Sequence, residues 1–295
     1  MSYFMDMRKF RLLLLMMLMA LLTACSVPKT NSQSSVNQTR PHEKLAYQID
    51  ATPTLFFHGA LSNYHSEQHM VNTILRSGVS NSVIRANVDA DGKVKLVGTL
   101  PQNAKNPLVM VNYGNNIQLD YEKQGLYAEN VVLALKQKYH FKQVNFVGHS
   151  LGTISMMYYL LAQNKNHALL PVKKMVTIAG PFDGVKYSNL PESLSQPQNL
   201  QVVNGRPNKM NSSYRKLAQI SPANVKDLQV LNIIGNTGKN TDGVVTTASA
   251  LSLGYLMRNA RSYQVLQLTG YSAEHGRLTF NRHVEQSIIN FLQAG

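Results

Sequence analysis

Apolar runs punctuated by Gly, Pro, Asn and Asp divide the chain into short segments of two periods. Thr54-Leu55-Phe56-Phe57 follows Pro53 and stops at His58-Gly59, which predicts a short strand. From about Asn63 to Arg76 the residues Met70, Ile74 and Leu75 recur at helical spacing, and Gly78 ends the run. Ser82 to Val88 alternates, Asp91-Gly92 turns, and Lys93 to Val97 alternates again, the signature of a β-hairpin. Leu108 to Val111 and Val144 to Val147 predict strands, the first as an unbroken apolar run expected of one buried on both faces. Met175 to Ile178, Leu228 to Ile234 and Ser262 to Leu268 predict three more strands. Tyr121 to Tyr139, Leu151 to Ala162 and Val284 to Leu292 read as helices. The first is expected to turn Leu126, Val131, Val132 and Leu135 inward. Strands alternating with helices predict an α/β fold with a mostly parallel central sheet covered on both faces. One connection is out of scale: Pro181 to Lys226 is rich in Pro, Ser, Asn and Gln. A connection of that length is usually functional or disordered, and residues 182–226 are expected to form a cap insertion.

The N-terminus changes the picture of where this domain works. Arg8, Lys9 and Arg11 precede the apolar run Leu12 to Leu22, which is too short for a comfortable membrane span. It ends in Leu22-Thr23-Ala24-Cys25, which resembles a bacterial lipobox. Residues 1–24 are therefore expected to be a lipoprotein signal peptide, with Cys25 lipidated as the first mature residue. Residues 25–50 would supply the anchor and a polar tether, and 51–295 the folded domain. Cys25 is the single cysteine, so an intramolecular disulfide is excluded.

The net charge is +14. The basic residues are scattered along the sequence rather than striped with aromatics, which argues against nucleic acid as a partner. Attraction to an anionic cell surface, or simple solvation, accounts for them. No His or carboxylate cluster falls at zinc or calcium spacing and no Gly-rich phosphate loop stands out, so neither metal nor cofactor is expected.

The chemistry is concentrated at Gly148-His149-Ser150-Leu151-Gly152. Such a pentapeptide means little alone. Placed between a strand and a helix it is a nucleophile elbow, with Ser150 at the apex of a tight turn and the helix N-terminus behind it. A serine nucleophile needs a general base, and the base an orienting carboxylate, in the chain order Ser, acid, His. Three histidines follow Ser150. His167 lies in a polar loop just after the nucleophile helix, and His283 opens the last helix. His275 lies between the last strand and the last helix and is the expected base. Asp242 is the one carboxylate in the loop after the penultimate strand and is the expected acid. Asp183 follows the wrong strand, and Asp227 precedes its strand. The expected oxyanion donors are the N–H groups of Leu151 and of Ala60, the latter in the Phe57-His58-Gly59-Ala60 loop. His58 and His149 read as loop-stabilising residues.

Together, Phe57-His58-Gly59, the hairpin around Asp91-Gly92, the Ser150 elbow, Ala179-Gly180-Pro181-Phe182-Asp183-Gly184, Asp242-Gly243-Val244-Val245 with Ser249-Ala250, and the His275 segment resemble the DUF915 alpha/beta hydrolases. These are often called cell-surface hydrolases of Gram-positive bacteria. The resemblance spans about Thr54 to Leu292. It implies an α/β-hydrolase fold, extracytoplasmic placement and a Ser-Asp-His triad on Ser150, Asp242 and His275. The segment Gly276 to Asn281 departs from the His-rich, acidic stretch of similar proteins. The expected reaction is hydrolysis of a carboxylic or lipid-like ester through an acyl-enzyme on Ser150. Acyl transfer by the same triad, and a non-catalytic surface-binding lipoprotein of hydrolase fold, are the alternatives.

Overall fold

The computed structural model describes residues 49–294. The expected signal segment, Cys25 and the expected tether up to residue 48 lie outside the described residues.

The described chain opens with β1 (Thr54–Phe57), α1 (His65–Arg76) and the hairpin β2 (Val83–Val88) and β3 (Val94–Val97). Next come β4 (Leu108–Tyr113), α2 (Tyr121–Tyr139), β5 (Val144–His149), α3 (Leu151–Ala162) and β6 (Val172–Ile178). A long excursion carries a small ribbon, β7 (Val202–Val203) with β8 (Arg206–Pro207), and two short helices, α4 (Ser212–Leu217) and α5 (Pro222–Val225). The chain returns through β9 (Gln229–Asn236), α6 (Thr247–Leu251), α7 (Leu253–Leu256), β10 (Ser262–Thr269) and α8 (Arg282–Gln293).

Eight strands form one sheet in the order β10-β9-β6-β5-β1-β4-β2-β3. All neighbours pair in parallel except the edge strand β3, which runs antiparallel to β2. The C-terminal ends of the parallel strands therefore share one end of the sheet. The alternation of side chains explains the unbroken apolar runs: Leu55 and Phe57 pack into the core beneath α2 and α3, whereas Phe56 joins the opposite core with α1 and α8. Each such fully buried side chain contributes about 1.5–3 kcal/mol. The sheet, the covering helices and the hydrolase architecture agree with the pattern read from the sequence.

Two features differ from it, and a third adds to it. Leu126 is 45% exposed. The expected Val131, Val132 and Leu135 are buried, and Ala128 and Tyr139 complete that face in place of Leu126. Gly125 sets this rotation, because a Cβ there would sit 2.6 Å from Tyr158 Cβ. The helix turns about 100° per residue, so with Gly125 against α3 the next side chain faces outward. Ile49 is buried and its N–H donates to the Tyr139 carbonyl, so the fold begins before residue 51. The excursion after β6 is fixed against the domain by packing and polar contacts. Tyr214, Leu217, Ile220 and Val225 join the core beneath α2 and α3, and Leu194 and Leu200 are buried as well. Asp183 ties the excursion down: its Oδ1 accepts from Asn211 N–H at 2.9 Å, and Asn211 Oδ1 caps α4 through Tyr214 N–H at 2.8 Å.

Candidate active site

Ser150 sits between β5 and α3 with φ 51° and ψ −123°. A non-glycine residue in that region stores about 1–3 kcal/mol of strain, which only a well-determined surrounding sustains. The surroundings are specific. Ser150 N–H donates to Ile178 O at 2.9 Å. Its carbonyl accepts from Thr153 N–H at 3.0 Å and Thr153 Oγ1 at 2.7 Å. Gly152 is obligatory because a Cβ would lie 2.2 Å from Phe57 O. Gly148 is nearly as confined, with Met156 Sδ at 2.6 Å from the same imaginary atom. The two motif glycines let α3 start directly against β1 and β5.

Asp242 and His275 meet at the same end of the sheet, on the loops after β9 and β10. His275 Nδ1 donates to Asp242 Oδ2 at 2.8 Å. The other carboxylate oxygen accepts from Val244 N–H at 2.9 Å and Val245 N–H at 2.7 Å. Asp242 is almost fully buried. With Nδ1 protonated toward a carboxylate, the neutral His275 keeps its lone pair on Nε2, the tautomer a general base requires. The backbones are joined as well, since His275 N–H donates to Asp242 O at 2.9 Å. Gly235, at the end of β9, allows this closeness: a Cβ there would meet Ala273 O at 2.1 Å.

Leu151 begins α3, and its N–H is one of the unsatisfied donors of a helix start. Ala60 lies in the turn after β1. Neither N–H has a protein acceptor among the described residues. Gly59 brings the Ala60 turn against the elbow, where a Cβ at 59 would stand 3.1 Å from Ser150 Cβ.

His58 is buried and held at both nitrogens. Its Nε2 accepts from Tyr113 N–H at 3.0 Å, which leaves Nδ1 to donate to Gly59 O at 2.8 Å. Burial pushes its pKa down, so it stays neutral and braces the turn. His149 has a larger part than the sequence suggested. Its ring lies 4.7 Å from the His275 ring, and its Nε2 donates to the His275 carbonyl at 3.1 Å. Burial, and then the neighbouring His275, push its pKa down to about 3. A neutral His149 thus pins the backbone of His275 without competing for the proton. Nothing in the sequence signals this pairing, which spans 126 positions.

The rejected candidates fall elsewhere. Asp227 and His167 lie in loops that precede β9 and β6, at the opposite end of the sheet. His283 is exposed at the start of α8. Asp183 is buried but engages Asn211, not a histidine. Loops at the Ser150 end also present exposed apolar side chains on either side of β5: Leu61, Ile117, Leu119, Tyr187, Tyr271 and Phe280. Leu61 N–H donates to Asn116 O at 2.9 Å, which binds two of these loops together.

Solved structures share this architecture. The lin2722 gene product of Listeria innocua is 24% identical with a TM-score of 0.73, over 83% of this chain and 95% of that one. A Lactobacillus plantarum protein assigned as a cell surface hydrolase is 17% identical with a TM-score of 0.62, over 82% of this chain and 90% of that one. No curated protein matches the sequence. The family profile described as an alpha/beta hydrolase of unknown function, DUF915, matches residues 41–294. With the sheet order, the elbow and the profile in agreement, the chain belongs to the DUF915 family of alpha/beta hydrolases.

Proposed function

We propose that this protein is an extracytoplasmic serine hydrolase that cleaves carboxylic esters, with Ser150 as nucleophile, His275 as base and Asp242 as the residue that orients it. The observation that carries the reading is the Asp242–His275 hydrogen bond, made at the strand end that also holds Ser150 in its strained turn. In this mechanism His275 Nε2 takes the Ser150 hydroxyl proton as Oγ attacks the acyl carbonyl. The Leu151 and Ala60 N–H groups hold the oxyanion; one such donor is worth about 10²–10³ in turnover. The protonated His275 gives its proton to the departing alcohol. Water then repeats the sequence and releases the acid, restoring Ser150. The exposed apolar side chains around the site support esters whose acyl part is apolar. The lipobox at Cys25 supports attachment to the outer face of a cell membrane.

Labelling with a fluorophosphonate tests this directly. The folded protein should form a covalent adduct at Ser150, and Ser150→Ala should abolish it. Absence of an adduct on folded protein would overturn the enzyme reading.

A further inference from the structure

The two ends of the sheet carry unlike charge. The Ser150 end holds most of the described carboxylates, among them Asp89, Asp91, Asp120, Glu122, Glu192 and Glu274, interleaved with basic residues. All five ion pairs among the described residues engage groups from this end: His69–Glu285, Arg215–Glu192, Lys216–Glu122, His275–Asp242 and Arg277–Glu274. At the opposite end, the loops that precede the parallel strands present Lys105, Lys142, Lys226 and Arg261, with Lys173 at the start of β6. None of these five forms an ion pair. Asp50 and Asp227 are the only described carboxylates in those loops. Lys105, Lys173 and Arg261 line one open cleft of about 610 Å³. Lys142 lines a smaller one of about 280 Å³ beside it, together with Ile49 to Thr52. The N-terminal tether therefore enters the fold at the basic end.

We infer that this basic end is a docking surface for an anionic lipid bilayer, and that it orients Ser150 away from that bilayer. Two observations select a membrane over other polyanions. The charge is spread across four loops and the start of β6, and no Phe, Tyr or Trp lines either cleft to stack the bases of a strand. The segment between Cys25 and Ile49 is the one that leads to an expected lipid anchor, and it joins the fold at this surface. Basic residues beside a lipid anchor add attraction to anionic headgroups, about 1 kcal/mol per residue near the surface. The presence of a nearby membrane rests on the anchored reading of Cys25; the binding itself does not. A consequence follows for the substrate: the esters reaching Ser150 come from outside the bilayer to which the protein is tethered.

The chain beginning at Ser26 keeps every residue of the described cores and lacks the anchor, so it isolates the surface. It should sediment with vesicles of mixed phosphatidylglycerol and phosphatidylcholine and not with phosphatidylcholine alone. Added salt should release it, because exposed charges are screened within about 10 Å at 0.1 M. The triple variant Lys105→Gln, Lys142→Gln, Arg261→Gln should weaken binding about a hundredfold, on about fivefold per basic residue near a charged surface. The triple variant Lys93→Gln, Lys123→Gln, Lys186→Gln removes the same charge from the Ser150 end and should change binding less than about threefold. Unaltered melting and unaltered turnover of a soluble ester in both variants would show that the fold and active site are intact. Equal losses in the two triples, or equal binding to neutral vesicles, would overturn the inference. Release from vesicles by soluble polyglycerol phosphate at equal phosphate would overturn the choice of lipid in favour of a wall polymer. Because binding is read without turnover, its failure is separable from failure of the hydrolase reading.

Discussion

Asp242→Asn is the substitution whose outcome the geometry specifies most closely. Asp242 Oδ1 accepts two backbone N–H groups, from Val244 at 2.9 Å and Val245 at 2.7 Å. An asparagine must keep its carbonyl oxygen there, since its amide nitrogen would face two donors. The amide nitrogen is then directed at His275 Nδ1, where the carboxylate oxygen stood at 2.8 Å. His275 can answer that donor only by giving up its Nδ1 proton and carrying the proton on Nε2. In that tautomer it cannot accept the proton of Ser150. Elsewhere the same exchange behind a catalytic histidine lowers kcat about 10⁴-fold, which is about 5 kcal/mol of transition-state stabilisation. The two cap bonds survive, so the folded state should lose no more than about 1–2 kcal/mol. The assay is kcat on a chromogenic ester, paired with the rate of fluorophosphonate labelling and a melting curve. Both rates should fall together while the melt shifts little. A loss below about tenfold with the fold intact would refute the idea that Asp242 sets the tautomer. A larger loss in Asp183→Asn than in Asp242→Asn would move the acid to the loop after β6.

Other substitutions probe the supports of the site. Gly152→Ala drives a Cβ to 2.2 Å from Phe57 O, so it should destabilise by at least the upper part of the about 1–3 kcal/mol range for overpacking, read as a fall in melting temperature and soluble yield. His149→Phe removes the donor to the His275 carbonyl; kcat should fall about tenfold with KM little changed, on the about 1–3 kcal/mol cost of a buried unpaired carbonyl. Glu67 in α1 is buried with Oε1 unpaired, and burial pushes its pKa up to about 8. Its folded pKa lies above the unfolded one, so its contribution to stability is complete below about pH 4.5 and is lost as pH rises to about 8, by up to about 1.4 kcal/mol per pH unit. Glu67→Gln should flatten that decline in denaturant titrations between pH 5 and 8; an unchanged slope would refute the assignment.

The sequence carried the parts of this fold that depend on local pattern. Strand runs, helix spacing, the hairpin at Asp91-Gly92 and the elbow at Ser150 are each written within a few adjacent residues. The order of Ser150, Asp242 and His275 along the chain placed each on the loop after its own strand, and parallel pairing then delivers all three to one end. What escaped is what depends on contact between distant segments. On α2, Val131, Val132 and Leu135 face inward as expected, and Leu126 alone was misplaced, because apolar character alone cannot say where the edge of a buried helix face falls. Gly125 against Tyr158 decides it. The packing of the Pro181–Lys226 stretch was not legible because its anchors are polar: Asp183 to Asn211, and Asn164 Oδ1 accepting from Ser221 N–H at 2.9 Å. Polar composition marks a surface loop as readily as a fixed one. His149 and the pair of His69 with Glu285, which joins α1 to α8, lie in the same blind spot.

The parallel sheet also explains why chemistry and charge separate in this molecule. Helix starts and the loops after strands share one end, where unsatisfied N–H groups favour negative charge: carboxylates, and at Ser150 a developing oxyanion. Helix ends and the loops before strands share the other, where unsatisfied carbonyls favour cations. Lys174 shows this directly, its Nζ donating to the carbonyls of Phe291 and Leu292 at the end of α8. The same polarity that would stabilise an oxyanion above the sheet in the proposed mechanism permits a concentration of lysine and arginine below it. Ile49, the first described residue, lies at that basic end, the end inferred to face an anionic bilayer. Orientation of the active site then follows from topology and charge together, and reversing the charge of the lower loops is the change that separates them.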